Sequence, residues 1–409
     1  MGYGLPVHHL GGDASSVYAY RDELDRWLRK RDGWDESAHP VSAPVVTQQT
    51  QDTKRHRPAE VHIEQSSAEA EAGHLIAGAQ RLWESLSSSN LSTIVLMYRR
   101  ATDLDPLSAV GHAGLSQALI AQAVLGNLHP AAAFHTARAA LRRALEIDPD
   151  LFEGLCASAI IKVFVERDWE GARVLLDEAV QMQPKASQAL VGSAFLEIAQ
   201  GRLEEASETL RRAAVERPLN TSVAELLCWV EYLSGRFDSA LSLLADARES
   251  GHCGAILDTV EAFCRVVLSG AEDQIQRLET LSANAPRNNT LLGVLGYAYG
   301  KTGKTEAARQ VIDSMSRVGL TGVYDFAYPI ALTYAGIGEP GEVRRWLAQS
   351  YRHGSLWSIG FNSDPMLVEL RKGGGAEGLF GPGYDFPRRI DFHEKRAAHL
   401  DEHSVLFNA

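Results

Sequence analysis

Four prolines divide the chain at equal steps: Pro149, Pro184, Pro218 and Pro286 stand 35, 34 and 68 residues apart, and 68 is twice 34. A recurring step of this length marks one supersecondary unit repeated along the chain. Such units stack side by side, expose a long concave wall and carry no reactive centre of their own. With each proline counted as position 32, position 20 is Ala137, Ala172, Ala206, Ala240, Gln274 and Ala308. Position 24 is Leu141, Leu176, Leu210, Leu244, Leu278 and Ile312, and position 27 is Ala144, Ala179, Ala213, Ala247, Leu281 and Met315. A small residue one turn from a large aliphatic is what two closely crossing helices require.

The unit from Asn289 adds Leu295, Gly296 and Tyr299 at positions 7, 8 and 11, with Gly303 at its turn. This run resembles the consensus of the tetratricopeptide repeat (TPR), and the resemblance extends from about residue 118 to 320. It implies an all-α superhelix of about eight helical hairpins that binds other molecules. The pattern loosens at both ends. Tyr98 to Ala101 with Pro106 fit the second helix of an earlier unit, and residues 68–86 its first helix. Pro106 to Pro149 spans 43 residues, nine more than 34, which predicts an insertion around Gly126 to Pro130. Downstream, Ala331, Tyr334, Gly338 and Leu347 fit one more unit, and residues 361–371 resemble the closing segment of bacterial TPR regulators.

Composition supports a helical solenoid, which grows past the size limit of a single core. Of 409 residues, 45% are hydrophobic, enough for a packed interior, and the net charge of −12 argues against broad binding to nucleic acid or anionic membranes. Cys156, Cys228, Cys253 and Cys264 contain no Cys-x-x-Cys, and Cys228 occupies a small packing position. No apolar leader follows Met1 and no run reaches 18 apolar residues. These features predict a cytoplasmic protein in a reducing compartment, with no membrane partner.

Residues 1–32 differ in kind. Leu5 to Leu10 and Ser16 to Tyr20 flank a Gly-Gly-Asp-Ala turn, predicting a β-hairpin, and an amphipathic helix follows over 21–31. This stretch resembles the wing and last helix of excisionase-like or MerR-like winged-helix DNA-binding domains. The groove-reading helix of that family has no counterpart among Met1 to Gly4, so the start of the domain lies upstream or the fragment is a non-binding remnant. If the wing meets DNA, His8, His9, Ser15, Ser16 and Arg21 are the candidate phosphate contacts. Residues 33–65 are polar without apolar periodicity and predict a flexible linker, whose basic knot Lys54 to Arg57 is expected to be solvated, the alternative being contact with a phosphate backbone. The solenoid is then expected over 66–371, and a glycine-rich loop and tail over 372–409.

In TPR proteins the first helix of each hairpin lines the groove. Position 9 is Ile161, Phe195, Trp229, Phe263 and Tyr297, and position 12 is Phe164, Ile198, Tyr232 and Val266. This ladder proposes Phe164, Phe195, Ile198, Trp229, Tyr232, Phe263 and Tyr297 as the wall that takes an apolar peptide or amphipathic helix. The alternative is that some of these rings pack against the next hairpin. Position 5 holds Ala157, Val191, Glu225, Thr259 and Gly293, without the basic groups that clamp a C-terminal carboxylate.

Enzyme signals fail on spacing. Tyr299 to Thr305 mimics a phosphate loop, but its leading glycine is missing and the repeat register makes the segment a turn. His399 and His403 stand four apart without a third ligand, and the glycines from Gly373 follow no strand. The chain is therefore expected to have no catalytic residues, metal or cofactor. Two functions remain: an interaction scaffold that binds protein or peptide, or a transcriptional regulator that adds DNA contact through the N-terminal module.

Overall fold

The computed structural model describes residues 59–84, 88–216, 221–318 and 326–371, together with strands β1 (His8–His9) and β2 (Val17–Tyr18). The strands pair antiparallel, His8 opposite Tyr18 and His9 opposite Val17. Ser15, Ser16, Arg21, the predicted helix over 21–31 and the tail beyond Arg371 lie outside the described residues. So does most of the expected linker, but helix α1 already begins at Ala59, ahead of the expected boundary at 66.

The helical unit is a TPR-type solenoid of eight antiparallel hairpins. They are α1 (Ala59–Glu84) with α2 (Ser88–Leu104), α3 (Ala109–Val124) with α4 (Pro130–Ile147), and α5 (Phe152–Ile161) with α6 (Trp169–Met182). Next come α7 (Ser187–Ala199) with α8 (Leu203–Glu216), α9 (Thr221–Leu233) with α10 (Phe237–Glu249), and α11 (Ala255–Ser269) with α12 (Ala271–Asn284). The last two are α13 (Asn289–Lys301) with α14 (Thr305–Val318), and α15 (Ala327–Ile337) with α16 (Pro340–His353).

Local chemistry sets the boundaries. The side chains of Ser108, Asp168 and Asn288 accept the backbone N–H three residues on and cap α3, α6 and α13. Inside the hairpins the chain reverses at Gly201, Gly235 and Gly303, each with φ between +72° and +77°, where a side chain would be strained. Gly303 lies in the segment that mimics a phosphate loop, and the chain turns there between α13 and α14. One repeat before Gly201 the equivalent position is Arg167, the one described non-glycine residue with positive φ, at 55°.

The two irregular steps have separate causes. The 35-residue step from Pro149 to Pro184 contains one extra residue, and α5 runs on into a π-helical turn, Lys162–Glu166. A π turn is how a helix absorbs a single insertion. The 43-residue step is shared out: α3 and α4 have 16 and 18 residues against 13 and 14 in α7 and α8. The expected loop at Gly126 to Pro130 therefore carries only part of the insertion.

The repeat positions do what their spacing demands. Every leucine or isoleucine at position 24 is buried, and so are the alanines at positions 20 and 27. Gln274, which breaks the alanine series, is only half-buried in α12. The closest approach joins α13 to α15. A Cβ on Gly300 would stand 2.4 Å from the backbone of Gly336, and one on Gly336 a mere 2.3 Å from the Tyr297 carbonyl.

Candidate partner-binding groove

Beyond α16 the chain leaves the hairpin pattern at Gly354 and folds back along the inner wall. It forms a 3-10 turn (Leu356–Ile359), a second (Pro365–Leu367) and the short helix α17 (Val368–Arg371). Trp357 meets Trp229 edge-on at 5.3 Å between ring centres, meets Phe263 edge-on at 5.5 Å, and stacks on Tyr328 at 6.4 Å. Asp364 is buried and accepts from the hydroxyl of Tyr232 at 2.5 Å, the hydroxyl of Tyr328 and the Met366 amide at 2.8 Å. Gly360 fits because a Cβ there would stand 2.7 Å from the Trp229 ring. Arg167 holds the base of this segment: its guanidinium lies 3.7 Å from the Tyr351 ring centre and donates to the carbonyls of Tyr351 (2.6 Å) and Val163 (3.0 Å).

This arrangement divides the predicted ladder. Trp229, Tyr232 and Phe263 are buried beneath the chain's own closing segment, and Ile198 is buried in the same core. Phe164 is buried and packs edge-on against half-buried Phe195 at 5.1 Å, beside an open interior space that Phe195 borders more openly. Tyr297 is half-buried, with the Lys301 ammonium 5.7 Å from its ring centre. The closing segment is the element that periodicity missed. Trp357, Phe361 and Met366 are its signal, an apolar cluster without helical spacing directly after the last hairpin.

The open space is a cavity of about 1370 Å³. The first helices of seven successive hairpins line it, through residues such as Trp83 (α1), Ala121 (α3), Val191 and Phe195 (α7), Glu225 (α9) and Ile256 (α11). Asn289 and Thr290 of α13 complete the wall, and Leu356 and Trp357 bound it on the side of the closing segment.

Two glutamates on α9 show opposite electrostatics. Glu231 has a side chain only 1% exposed and is saturated by Arg236 (2.7 Å), Arg211 (3.2 Å) and the Ser207 hydroxyl (2.8 Å). Burial alone would raise its pKa, but the hydrogen bonds from Arg236 and Ser207 outweigh that and hold it at about 2. Glu225, also buried, has no hydrogen bond or ion pair among the described residues, and burial, aided by Asp258, pushes it up to about 8. Asp258 is itself answered by Arg248 at 2.9 Å. Burial likewise holds the thiols of Cys156, Cys228 and Cys264 near 12, which leaves them inert as nucleophiles. Among the described residues no three His, Cys, Asp or Glu side chains converge as metal ligands, and no helix is long and apolar enough to cross a membrane.

Residues 165–227 match the family model of the tetratricopeptide repeat. Similar solved structures include one titled for the functional characterisation of Pseudomonas aeruginosa PilF, 17% identical with a TM-score of 0.36, covering 54% of this chain and 94% of that one. Another is the TPR domain of P58(IPK), 12% identical with a TM-score of 0.23, covering 74% of this chain and 99% of that one. No curated protein matches the sequence. Residues 165–227 thus carry the tetratricopeptide repeat, within a solenoid of paired helices.

Proposed function

We propose that this chain is a non-enzymatic scaffold that holds a peptide or helix of a partner protein inside the solenoid. The contact region is the cavity bordered by Phe164 and Phe195; the part of the ladder from Trp229 to Phe263 serves to seat the closing segment. The cavity carries this reading. Its volume of about 1370 Å³ exceeds the roughly 300–1,000 Å³ that suits a small-molecule ligand, and seven hairpins contribute to it as a peptide groove requires. No observation among the described residues favours the regulator alternative.

The test is selection of random peptides on the full chain, followed by titration of the enriched sequences against cavity-filling variants. Val191→Trp and Ala121→Trp enlarge half-buried lining residues and are expected to weaken binding at least tenfold while the melting temperature stays near that of the parent. Enriched peptides that bind both variants as well as the parent would place the interaction elsewhere.

A further inference from the structure

A buried carboxyl without a partner is expensive: desolvating an isolated charge costs several kcal/mol unless something answers it. The solenoid answers its other deeply buried glutamates. Glu231 has two arginines and a serine, and Glu261 has Arg248 at 2.5 Å, Arg265 at 2.7 Å and Arg277. Glu225 is only 8% exposed and receives none among the described residues, although it lies about one and two-thirds helix turns from Glu231 on α9. It faces the cavity, and its Oε1 fills the place where a side chain on Gly254 would begin, 2.4 Å from an added Cβ.

From this geometry we infer that Glu225 is the anchor for a lysine or arginine side chain of the partner segment, set among apolar residues that fill the rest of the cavity. The inference rests on the cavity being the binding site and names the chemistry of its occupant. Among the other charged groups of the lining, Lys185 is already paired with Glu216 at 3.1 Å, and Arg287 is exposed. Half-buried Glu153 adds a second carboxylate without an ion pair among the described residues. The net charge of −12 attracts a basic segment from a distance.

Proton linkage gives a second readout. Glu225 titrates at about 8 in the empty protein, so a cation binding below that pH must displace a proton. Affinity for a basic peptide therefore rises with pH up to about 8 and then levels off. The groups that act on Glu225 are Asp258 of α11, itself paired with Arg248 of α10, and Cys228 of α9. Substituting Glu225 separates its contribution from theirs.

The experiment compares random-peptide selection on the full chain with selection on Glu225→Gln and Glu225→Lys. The parent is expected to enrich peptides with one lysine or arginine at a fixed place among apolar residues. Replacing that residue by norleucine should weaken binding at least tenfold at pH 8, and Glu225→Gln should remove both the basic preference and the rise between pH 7 and 8. Glu225→Lys should favour an acidic residue; should it fail to fold, the glutamine variant decides alone. Apolar peptides enriched without a basic preference, but lost on Val191→Trp, would overturn the anchor and leave the groove. No enrichment by the parent would overturn both.

Discussion

The regular hairpins and the closing segment are built on opposite principles. In α7 to α10 each helix packs on neighbours within one repeat, through alanines and leucines recurring every 34 residues. The closing segment has no period, and its contacts reach far: Tyr232 to Asp364 spans 132 residues. A solenoid stabilised only by nearest neighbours unravels piecewise. Here the segment after Gly354 ties the fifth, sixth and eighth hairpins together, and it does so with the rings that an open groove would offer to a partner.

The largest expected effect therefore lies in the irregular region. Trp357→Ala removes a ring held between Trp229, Phe263 and Tyr328 and should cost about 3–5 kcal/mol in a denaturant titration. An unchanged midpoint would show that the segment contributes nothing to the fold. In the regular region, Ala206→Leu overpacks a fully buried crossing and should cost about 1–3 kcal/mol. Hydrogen exchange should place that damage around α7 to α10, whereas Trp357→Ala should loosen hairpins distant in sequence.

The two glutamates of α9 sharpen the comparison through pH. Glu231 titrates at about 2 when folded against a usual 4.5, so its contribution is present above 4.5 and lost as pH falls towards 2. Glu225 titrates at about 8, so the folded state is progressively disfavoured as pH rises from 4.5 to 8. Glu231→Gln should flatten the acid limb of the stability profile, and Glu225→Gln the alkaline limb. Identical profiles for the two variants would contradict the contrast drawn between them. The smallest effect is expected for Arg167→Gly. Relief of the left-handed backbone, about 1–2 kcal/mol, offsets the lost clamp on Tyr351, so stability should change by less than about 1 kcal/mol. Exchange at residues 351–357 should nevertheless quicken.

The solenoid was legible because its determinants are local. Alanine and leucine at fixed offsets, a proline between hairpins and a glycine at the turn all act within one repeat. The burial of Trp229 and Tyr232 beneath a segment from the far end of the chain was not legible, because a period identifies which face a ring occupies and not what covers it. Residues 361–371 suggested a closing segment, but not its return to the inner wall. Glu225 stood out in sequence only as a residue unsuited to a carboxylate ligand. Its isolation became visible once Arg211 and Arg236 were seen to converge on Glu231 instead.

Hydrogen exchange across residues 354–367 of the full-length protein tests the account most directly. If these residues cover the middle of the ladder, their amides exchange as slowly as those of α9, and Trp357→Ala speeds both together. Exchange at the rate of a free chain, with α9 still protected, would mean that Trp229, Tyr232 and Phe263 face an open groove, contrary to the division of the wall described above.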